Sequence, residues 1–301
     1  MAIPNPTPMK ANASIERQLD QRLRLVAAAF ESDAMAFYGP LSEETDDLFR
    51  SAVEDMKQRR GSKNRLTLLL TTNGGFIGVV QRIVTTIRHH NHYTHLDVVV
   101  PNYAFSAGTV LALSADAIYM DYYSQLGPID PQIPMPNGQW VSALGYLAQW
   151  NRLMEKANGQ GGLNLAELHL MINGFDQGAL YSYEQSAQLS VTLLRKWLAS
   201  YKFKDWIKTE THGKEVTQRM REDRAKEIAL ALNDTSRWHV HGHGISMAIL
   251  EDELNLRIDN LDKMPAICGK VRAYHSLLDD YMTKNGDIGA IHTVGQYQSF
   301  A

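Results

Sequence analysis

The chain has 301 residues, 44% of them hydrophobic, which is enough for a sizeable core in one large domain or two small ones. Its 30 basic and 33 acidic residues give a net charge of −3, and neither sign collects in a long block, which argues against nucleic acid or an anionic membrane surface as a partner. The one cysteine, Cys268, excludes an intramolecular disulfide and a cysteine-based zinc cluster, so we expect a reducing, cytoplasmic location.

The amino-terminal residues MAIPNPTPMK contain three prolines and no apolar run behind a basic segment, so they predict a flexible lead-in rather than a signal peptide. No apolar stretch approaches the roughly 18 residues that a membrane-spanning helix needs, and we expect no stable membrane insertion. The first predicted element is an amphipathic helix over residues 14–30, with Ser14 as its N-cap. A second helix is expected to begin near Ser42 and Thr45, which precede acidic residues.

Two strand-turn-helix units follow in the chain. In the first, an apolar run (Leu66 to Leu70) leads through Asn73-Gly74-Gly75 to a segment of helical period. In the second, an apolar strand (Leu96 to Val100) leads to a helix (Ala107 to Ala115) and then to a short strand (Ala117 to Met120). Repeated units of this length predict parallel strands joined by crossover helices.

The second half of the chain is expected to be mainly helical. Prolines and glycine mark a loop over residues 128–138, and residues 141–156 and 177–204 have helical patterns. Residues 236–262 suggest a loop, a short helix and a terminal strand, whereas residues 286–301 are too weakly patterned to assign.

Ser106 occupies the turn between the second apolar strand and its helix. A helix amino terminus and nearby backbone N–H groups stabilise negative charge there, which suits a nucleophile. The small residues Ala107 and Gly108 would let a developing oxyanion reach the backbone. The alternative is that Ser106 is only the N-cap of the helix.

The Asn73-Gly74-Gly75 turn is the second strand-to-helix turn, and its N–H groups could complete an oxyanion hole with that of Ala107. The alternative is that the Gly-Gly pair only makes a tight turn. It is not a phosphate loop, because the GK[ST] ending is missing.

Three segments, TTNGG, VPNYAFSAGTVLALSADAIYM and SQLGPIDPQ, carry a resemblance to a known family. In this order and spacing they resemble the Clp protease and crotonase superfamily, more narrowly its serine dehydrogenase proteinase and signal peptide peptidase A branch. The resemblance is specific over residues 66–132 and continues through TSRWHVHGHGISMAILEDELNLRIDNL. It implies an α/β fold, a spiral of parallel strand-helix units with added helices at both ends. We expect a lead-in (1–13), a protease domain (14–265) and a C-terminal extension of uncertain structure (266–301).

The resemblance also implies the roles of four residues. Ser106 would be the nucleophile, Gly75 and Ala107 would donate the oxyanion N–H groups, and Gly74 would let the loop approach the substrate. A peptide would lie as an added strand beside the Gly74-Gly75 segment.

The general base is not determined by the resemblance. Clp proteases have a histidine roughly 25 positions after the serine, but the corresponding stretch here, LGPIDP, has none, which excludes a copied Clp triad. Signal peptide peptidase relatives use a lysine from the following helical region, and the first lysine after Ser106 is Lys156. The alternative is that Lys156 is a solvated residue near a helix end.

The rival base is His241, which resembles a histidine that recurs in serine dehydrogenase proteinases. Its acidic partner would be Asp234, because Asp234-Thr235 resembles the place where Clp proteases keep their acidic triad member. The alternating His239, His241 and His243 also suggest a metal site, but no carboxylate partner is obvious and loop histidines are more frequent, so we expect no metal. Asp130 lies in a loop that the family places near the active site and could orient the base or a substrate. Asp116 is expected to face solvent or to cap a turn.

The expected function is that of a serine endopeptidase acting through an acyl-enzyme on Ser106, with a Ser-Lys dyad, or a histidine as base, and no cofactor. Its partners would be peptide or protein substrates and other copies of the chain, and the sequence does not predict whether an ATPase partner exists. One alternative is a catalytically silent peptide-binding or assembly scaffold of the same fold. Another is an acyl-CoA enzyme of the crotonase type, although a serine framed by FSAGT counts against it.

Overall fold

The computed structural model describes residues 11–90, 92–134, 140–209 and 212–300. The helices are α1 Ala11–Phe30, α2 Thr45–Gln58, α3 Ile77–Ile87, α4 Ala107–Ala112, α5 Ala143–Asn158, α6 Leu165–Gly174, α7 Gln177–Trp197, α8 Gln218–Leu232, α9 Thr235–Trp238, α10 Met247–Asp252 and α11 Pro265–Asn285. The strands are β1 Asp33–Tyr38, β2 Arg65–Thr71, β3 His95–Val99, β4 Tyr103–Ala104, β5 Ala117–Met120, β6 Gln125–Leu126, β7 Gln132–Pro134, β8 Trp140–Ser142, β9 Ile245–Ser246, β10 Asp259–Asn260, β11 Gly289–Thr293 and β12 Gln296–Phe300.

A seven-stranded sheet with the order β10-β5-β3-β2-β1-β11-β12 forms the centre of the molecule. The strands from β10 to β1 pair in parallel, whereas β11 and β12 are antiparallel additions at one edge. Strands β2 and β3 are buried almost throughout, as expected for parallel strands covered on both faces. The sheet confirms the predicted α/β fold of parallel strand-helix units.

The two faces of this sheet pack against different helices. Successive side chains of β1 point to opposite faces of the sheet, as in any strand. Met35 and Phe37 belong to the core that includes α2, α3 and α4. Ala34 and Ala36 belong to the core that includes α1 and α11. Because β2 and β3 run parallel, the turns that follow them lie at the same edge of the sheet, the edge formed by the carboxyl ends of the strands. Folds of this kind place their functional loops there.

A smaller sheet, with the order β4-β6-β9, lies after β3 in the chain and carries the loops of interest. Strand β4 pairs in parallel with β6, and β9 pairs with β6 in the antiparallel sense. Thr72, just after β2, bridges to Ala104 of β4. This bridge joins the small sheet to the end of the central strand β2.

Several sequence expectations differ from the structure at the ends of the chain. Helix α1 begins at Ala11, so Ser14 lies inside it and is not its N-cap, and α2 has no side-chain cap. The predicted lead-in of residues 1–13 lies outside the described residues except for the first turn of α1. Residues 265–300, most of the predicted extension, form α11 and the strands β11 and β12 of the main sheet.

Asp116, expected to face solvent or cap a turn, is instead buried between cations. Its carboxylate lies 2.8 Å from Arg88 Nη1 and 2.5 Å from Lys204 Nζ, and it accepts a hydrogen bond from the backbone N–H of Leu96. The expectation was wrong because the cations come from distant parts of the sequence, Arg88 just after α3 and Lys204 seven residues after α7.

Within the described residues, every helix is too short or too polar to cross a membrane.

Candidate active site

The pairing of the small sheet places Ser106, Asp130 and His241 beyond the same end of its strands. Ala104 pairs with Leu126 in the parallel sense, and Ser106 and Asp130 follow them by two and four residues. Leu126 also pairs with Ile245 in the antiparallel sense, so His241, four residues before Ile245, extends past that end as well. Three distant segments of the chain are thereby brought to one place.

Ser106 has an unusual backbone conformation, with φ 54° and ψ −120°. A positive φ is costly for a residue with a side chain, and such strain persists only where the surrounding structure imposes it. A serine on a sharp strand-to-helix turn of this kind presents its hydroxyl outwards. Ser106 is the N-cap residue of α4, but its half-buried side chain makes no capping hydrogen bond to the helix.

Gly74 packs directly against the Ser106 loop. A Cβ atom built on Gly74 would lie 2.7 Å from Ser106 Cβ and 2.8 Å from the carbonyl oxygen of Phe105, and the φ of Gly74 is +100°. Only glycine satisfies both the close approach and this conformation. The backbone N–H of Gly74 donates to Thr72 Oγ1 at 3.0 Å, which fixes the turn beside the serine.

The edge of the Gly74-Gly75 segment is partly occupied by the protein's own chain. The N–H of Leu41 donates to the Gly74 carbonyl at 2.8 Å, and the N–H of Phe76 donates to the Leu41 carbonyl at 2.9 Å. In contrast, the N–H groups of Gly75 and Ala107 make no hydrogen bond to any residue that the structure describes. These two N–H groups are those expected to bind an oxyanion.

His241 and Asp130 form the charged pair of the site. His241 Nδ1 lies 2.8 Å from Asp130 Oδ1, and the two side chains are 22% and 2% exposed. Gln132 Nε2 donates to the other carboxylate oxygen at 3.1 Å. Burial, the largest single influence, would raise the pKa of Asp130, but the hydrogen bonds from its neighbours, first that of His241, and the attraction of the His241 ring together lower it. The ionised carboxylate can accept a hydrogen bond from Nδ1–H, and in that tautomer of the neutral imidazole Nε2 carries the lone pair.

The other residues considered as base or acid have different partners. Lys156 lies near the end of α5 with a 52% exposed side chain, and its Nζ contacts Glu167 Oε1 of α6 at 2.5 Å. Asp234 is the N-cap of α9, where it accepts from the backbone N–H groups of Ser236 and Arg237. Asp130, rather than Asp234, is thus the carboxylate that contacts His241.

The three alternating histidines do not converge. His241 pairs with Asp130, the ring of His243 packs on Trp238 with centroids 5.4 Å apart, and His239 is exposed. Within the described part of the chain, these three rings do not place their nitrogens within coordinating distance of one another.

Thr109 ties the serine helix to the loop of the acid, a role that the sequence did not suggest. Its Oγ1 lies 2.8 Å from the Ala104 carbonyl and 2.9 Å from the Gly127 carbonyl, and it accepts from the Gly127 N–H at 2.9 Å. The sequence allowed Asp130 to orient the base but paired His241 with Asp234, whereas His241 contacts Asp130 in the structure.

Residues 48–147, about a third of the chain, match the family described as ClpP-like SDH-type serine proteinase. The matched segment includes the Gly74-Gly75 turn, Ser106 and Asp130. It confirms the resemblance to ClpP-like proteinases that the three motifs indicated. His241 and Lys156 lie outside it.

Two proteins of Methanocaldococcus jannaschii are similar to parts of the chain. The uncharacterized protein MJ1495 is 33% identical over 153 residues, which are 48% of this chain and 47% of the relative. The uncharacterized protein MJ0137 is 41% identical over 68 residues, 23% of each chain. The matches thus span about half and about a quarter of these relatives.

Among solved structures, two mutant forms of the 1510-N membrane-bound stomatin-specific protease are similar to the chain. One, in complex with a substrate peptide, is 22% identical and has a TM-score of 0.32, covering 41% of this chain and 58% of its own. The other is 18% identical with the same TM-score, covering 62% and 90%. At these TM-scores the two structures carry no argument about this chain.

Proposed function

We propose that the protein is a serine peptidase in which Ser106 is the nucleophile, His241 the general base and Asp130 the group that orients the base. The observation that carries the proposal is the 2.8 Å contact between His241 and the buried Asp130, beyond the same end of the small sheet as the strained Ser106. A serine peptidase with a histidine base typically has these three functions in one place.

In this mechanism Ser106 Oγ attacks the peptide carbonyl carbon while its proton passes to His241 Nε2. The negative charge on the carbonyl oxygen is stabilised by the N–H groups of Gly75 and Ala107. His241 then donates the proton to the leaving amine as the C–N bond breaks. Water attacks the resulting ester, gives a proton to His241, and releases the acid product with return of the proton to Ser106.

The Ser106 hydroxyl makes no hydrogen bond to a side chain in the described part of the protein. The proposal therefore includes a closer approach of Nε2 to Oγ when substrate binds, because catalytic hydrogen bonds are often long in free enzymes. His241 is suited to this movement, since it lies in a loop and is only partly buried.

Lys156 is the alternative base. A catalytic lysine must be neutral at working pH, which burial can achieve. The side chain of Lys156 is half exposed and contacts Glu167, so it lacks the burial that a catalytic lysine needs. We therefore prefer His241, and the experiment below discriminates between the two residues.

The substrate in this proposal is an extended peptide whose backbone pairs with the side of Gly75 that faces Ser106. Leu41 already occupies the opposite edge through its bonds to Gly74 and Phe76, so the peptide has one edge available. Self-association is a further part of the proposal. Helix α6 buries none of its side chains and exposes Leu165 and Ile172, which supports a contact with another copy.

The test is covalent labelling by a fluorophosphonate probe, measured by intact mass and by rate. We expect a single adduct on the wild type, none on Ser106→Ala, and a rate at least about 100-fold lower for His241→Ala. His243→Ala and Lys156→Ala are the matched controls and should label at the wild-type rate. Loss of labelling in Lys156→Ala with normal labelling in His241→Ala would assign the lysine as base, and a folded wild type that takes no label would favour the silent scaffold.

A further inference from the structure

We propose that the outer edge of β12 is an interaction surface to which a second copy of the chain adds its own β12, in the antiparallel sense and about a two-fold axis. The proposal deepens the self-association included in the proposed function, but it rests on neither the peptidase chemistry nor α6. Strand β12 ends the seven-stranded sheet, and among the described residues no further strand pairs with its outer side.

The two edges of the main sheet differ in their protection against pairing. At the other edge, β10 has only two residues, and one of them is Asp259. Short edge strands and charged side chains are devices that prevent pairing with another chain. In contrast, β12 has five residues without a charge or a proline, and it pairs with β11 residue by residue without a bulge. The edge of β12 is therefore open to another strand.

The register of the sheet determines which backbone groups of its strands face which neighbour. In a strand, the N–H and C=O groups of successive residues point alternately to the two sides. The N–H of Gly39, just after β1, donates to the Thr71 carbonyl of β2 at 3.0 Å. Odd-numbered residues of β1 therefore face β2, and even-numbered residues face β11, where Ala36 lies opposite His292.

The same alternation continues across β11 to β12. Because His292 faces β1, the odd-numbered residues of β11 face β12, and Ile291 forms a hydrogen-bonded pair with Gln298. Tyr297 and Ser299 consequently direct their N–H and C=O groups away from β11. Their N–H groups make no hydrogen bond to any other segment that the structure describes. Two donors and two acceptors are thus available to a new strand.

A second copy of β12 satisfies all of these groups in one register. With Gln298 on the two-fold axis, Tyr297 of each copy lies opposite Ser299 of the other. Each of these two pairs exchanges two N–H···O=C bonds, which gives four bonds in total. A register centred on Tyr297 would pair that residue with its own copy and would leave Ser299 opposite the turn at Gly295.

The side chains of β12 also fit a copy of the same strand. Gln298 faces its own copy across the axis, and its amide supplies both a donor and an acceptor. Because β12 carries no charge, the pairing brings no like charges of the strand together. A pair of five-residue strands is a small interface, so we expect a weak dimer with a micromolar Kd.

Cysteine cross-linking tests the register. In Gln298→Cys the two Cα atoms should lie about 4.5–5.5 Å apart across the axis, a separation that a disulfide spans. In the matched control Gln296→Cys the two residues are offset by four positions, about 13 Å along the strand, which a disulfide does not span. Mild oxidation at high protein concentration should convert most of Gln298→Cys to a covalent dimer. Gln296→Cys and the wild type, whose Cys268 is buried, should remain uncross-linked.

Ser299→Pro tests the backbone hydrogen bonds. Proline lacks the N–H, and at an outward-facing position of an edge strand it leaves the bonds to β11 in place. Sedimentation velocity is measured in an Ile172→Glu background, because this charge on the exposed face of α6 removes any contact made there. The background chain should form a reversible dimer, and adding Ser299→Pro should weaken that dimer at least about tenfold. Circular dichroism checks that both variants are folded.

Three results would overturn the proposal. The first is the absence of a Gln298→Cys cross-link, which would leave the edge to an extended peptide rather than to a second copy. The second is equal cross-linking of Gln296→Cys and Gln298→Cys. The third is a dimer that Ser299→Pro leaves unchanged. Fluorophosphonate labelling of Ser106 should be the same with and without Ser299→Pro, so failure of the peptidase proposal and failure of this one are separate observations.

Discussion

His241 and Asp130 are 111 positions apart in the chain, and their side chains meet at 2.8 Å. The antiparallel pairing of β6 with β9 brings them together, because each lies four residues beyond a paired residue at the same end. The Asp130 carboxylate is buried, so water cannot replace His241 as its hydrogen-bond partner. It therefore favours the imidazole tautomer that carries its proton on Nδ1. If His241 is the base, its basicity and its orientation both depend on Asp130.

Replacing Asp130 with asparagine should therefore lower kcat/KM for a peptide substrate about 100-fold or more, because the amide no longer stabilises the imidazolium that forms in the transition state. The measurement is hydrolysis of a fluorogenic peptide over a range of concentrations. Asp234→Asn is the control, since asparagine is as good an N-cap as aspartate, and it should stay within about twofold of the wild type. The opposite ranking of the two variants would return Asp234 to the site.

The strand-helix units were predictable because their signals are local. The apolar runs of β2, β3 and β5 and the Asn73-Gly74-Gly75 turn were placed within about a residue of their observed limits. The glycine turn and the serine turn also lie side by side, as parallel strands require. Local patterning thus predicted that the Ser106 turn and the Gly74-Gly75 turn lie next to each other.

The remaining parts depend on contacts between distant segments. The short strand β1 has no alternating pattern, and β11 and β12 acquire their form by pairing with it and with each other. Likewise, no local signal joins the Asp130 loop to His241, since the register of β6 and β9 decides which carboxylate the histidine meets. The sequence intervals made Lys156 a candidate base and Asp234 a candidate acid. In the structure Lys156 pairs with Glu167, and Asp234 caps the N-terminus of α9.

Removing the charge of Lys156 should leave peptidase activity unchanged. Lys156→Met breaks a pair with Glu167 whose lysine is half exposed, and exposed pairs contribute about 0–1 kcal/mol to the free energy of unfolding. Glu167→Gln removes the other charge of this pair, and it should lower the free energy of unfolding, measured by urea denaturation, by the same small amount. A large loss of activity in Lys156→Met alone would show a catalytic lysine.

Adding one methyl group at Gly74 should abolish labelling of Ser106. The new Cβ would lie 2.7 Å from Ser106 Cβ, and the φ of +100° is unfavourable for alanine, so the turn and the serine loop must separate. Gly78→Ala is the control: Gly78 lies four residues after Gly74, in α3, where alanine is favoured over glycine, and there is open space where its Cβ would lie. It should label normally and be at least as stable as the wild type, and normal labelling of Gly74→Ala would contradict the proposed site.

Thr109 should affect the chemical step through the position of the Asp130 loop. Thr109→Val keeps the shape but removes the hydroxyl that contacts Gly127, leaving buried backbone groups unpaired at a cost of about 1–3 kcal/mol in the free energy of unfolding. We expect kcat to fall about tenfold with a smaller change in KM. Thr109→Ser, which retains the hydroxyl, should restore most of kcat. Equal kcat values in the two variants would leave Thr109 with a structural role only.

Asp116 should make stability depend on pH in the acid range. Burial would raise the pKa of its carboxyl, but Arg88 and Lys204 outweigh burial and lower it. A carboxyl with a lowered folded-state pKa stabilises the protein fully above its unfolded pKa of about 3.9 and loses that contribution as pH falls through the folded value. Asp116→Asn leaves two cations without their partner, which should cost about 3–5 kcal/mol at pH 7.

The gap in free energy of unfolding between the wild type and Asp116→Asn should therefore be largest near pH 7. It should begin to shrink below about pH 3.9, where the carboxyl of the unfolded chain becomes protonated, and close as pH falls through the lower pKa of the folded state. Urea denaturation at pH 7, 5 and 3 measures it. Asp280→Asn is the control, because its carboxylate pairs with Lys284 on an exposed helix face and should matter by less than about 1 kcal/mol at every pH. A gap that stays constant from pH 7 to pH 3 would mean that the asparagine variant is destabilised by altered packing rather than by loss of the charge between Arg88 and Lys204.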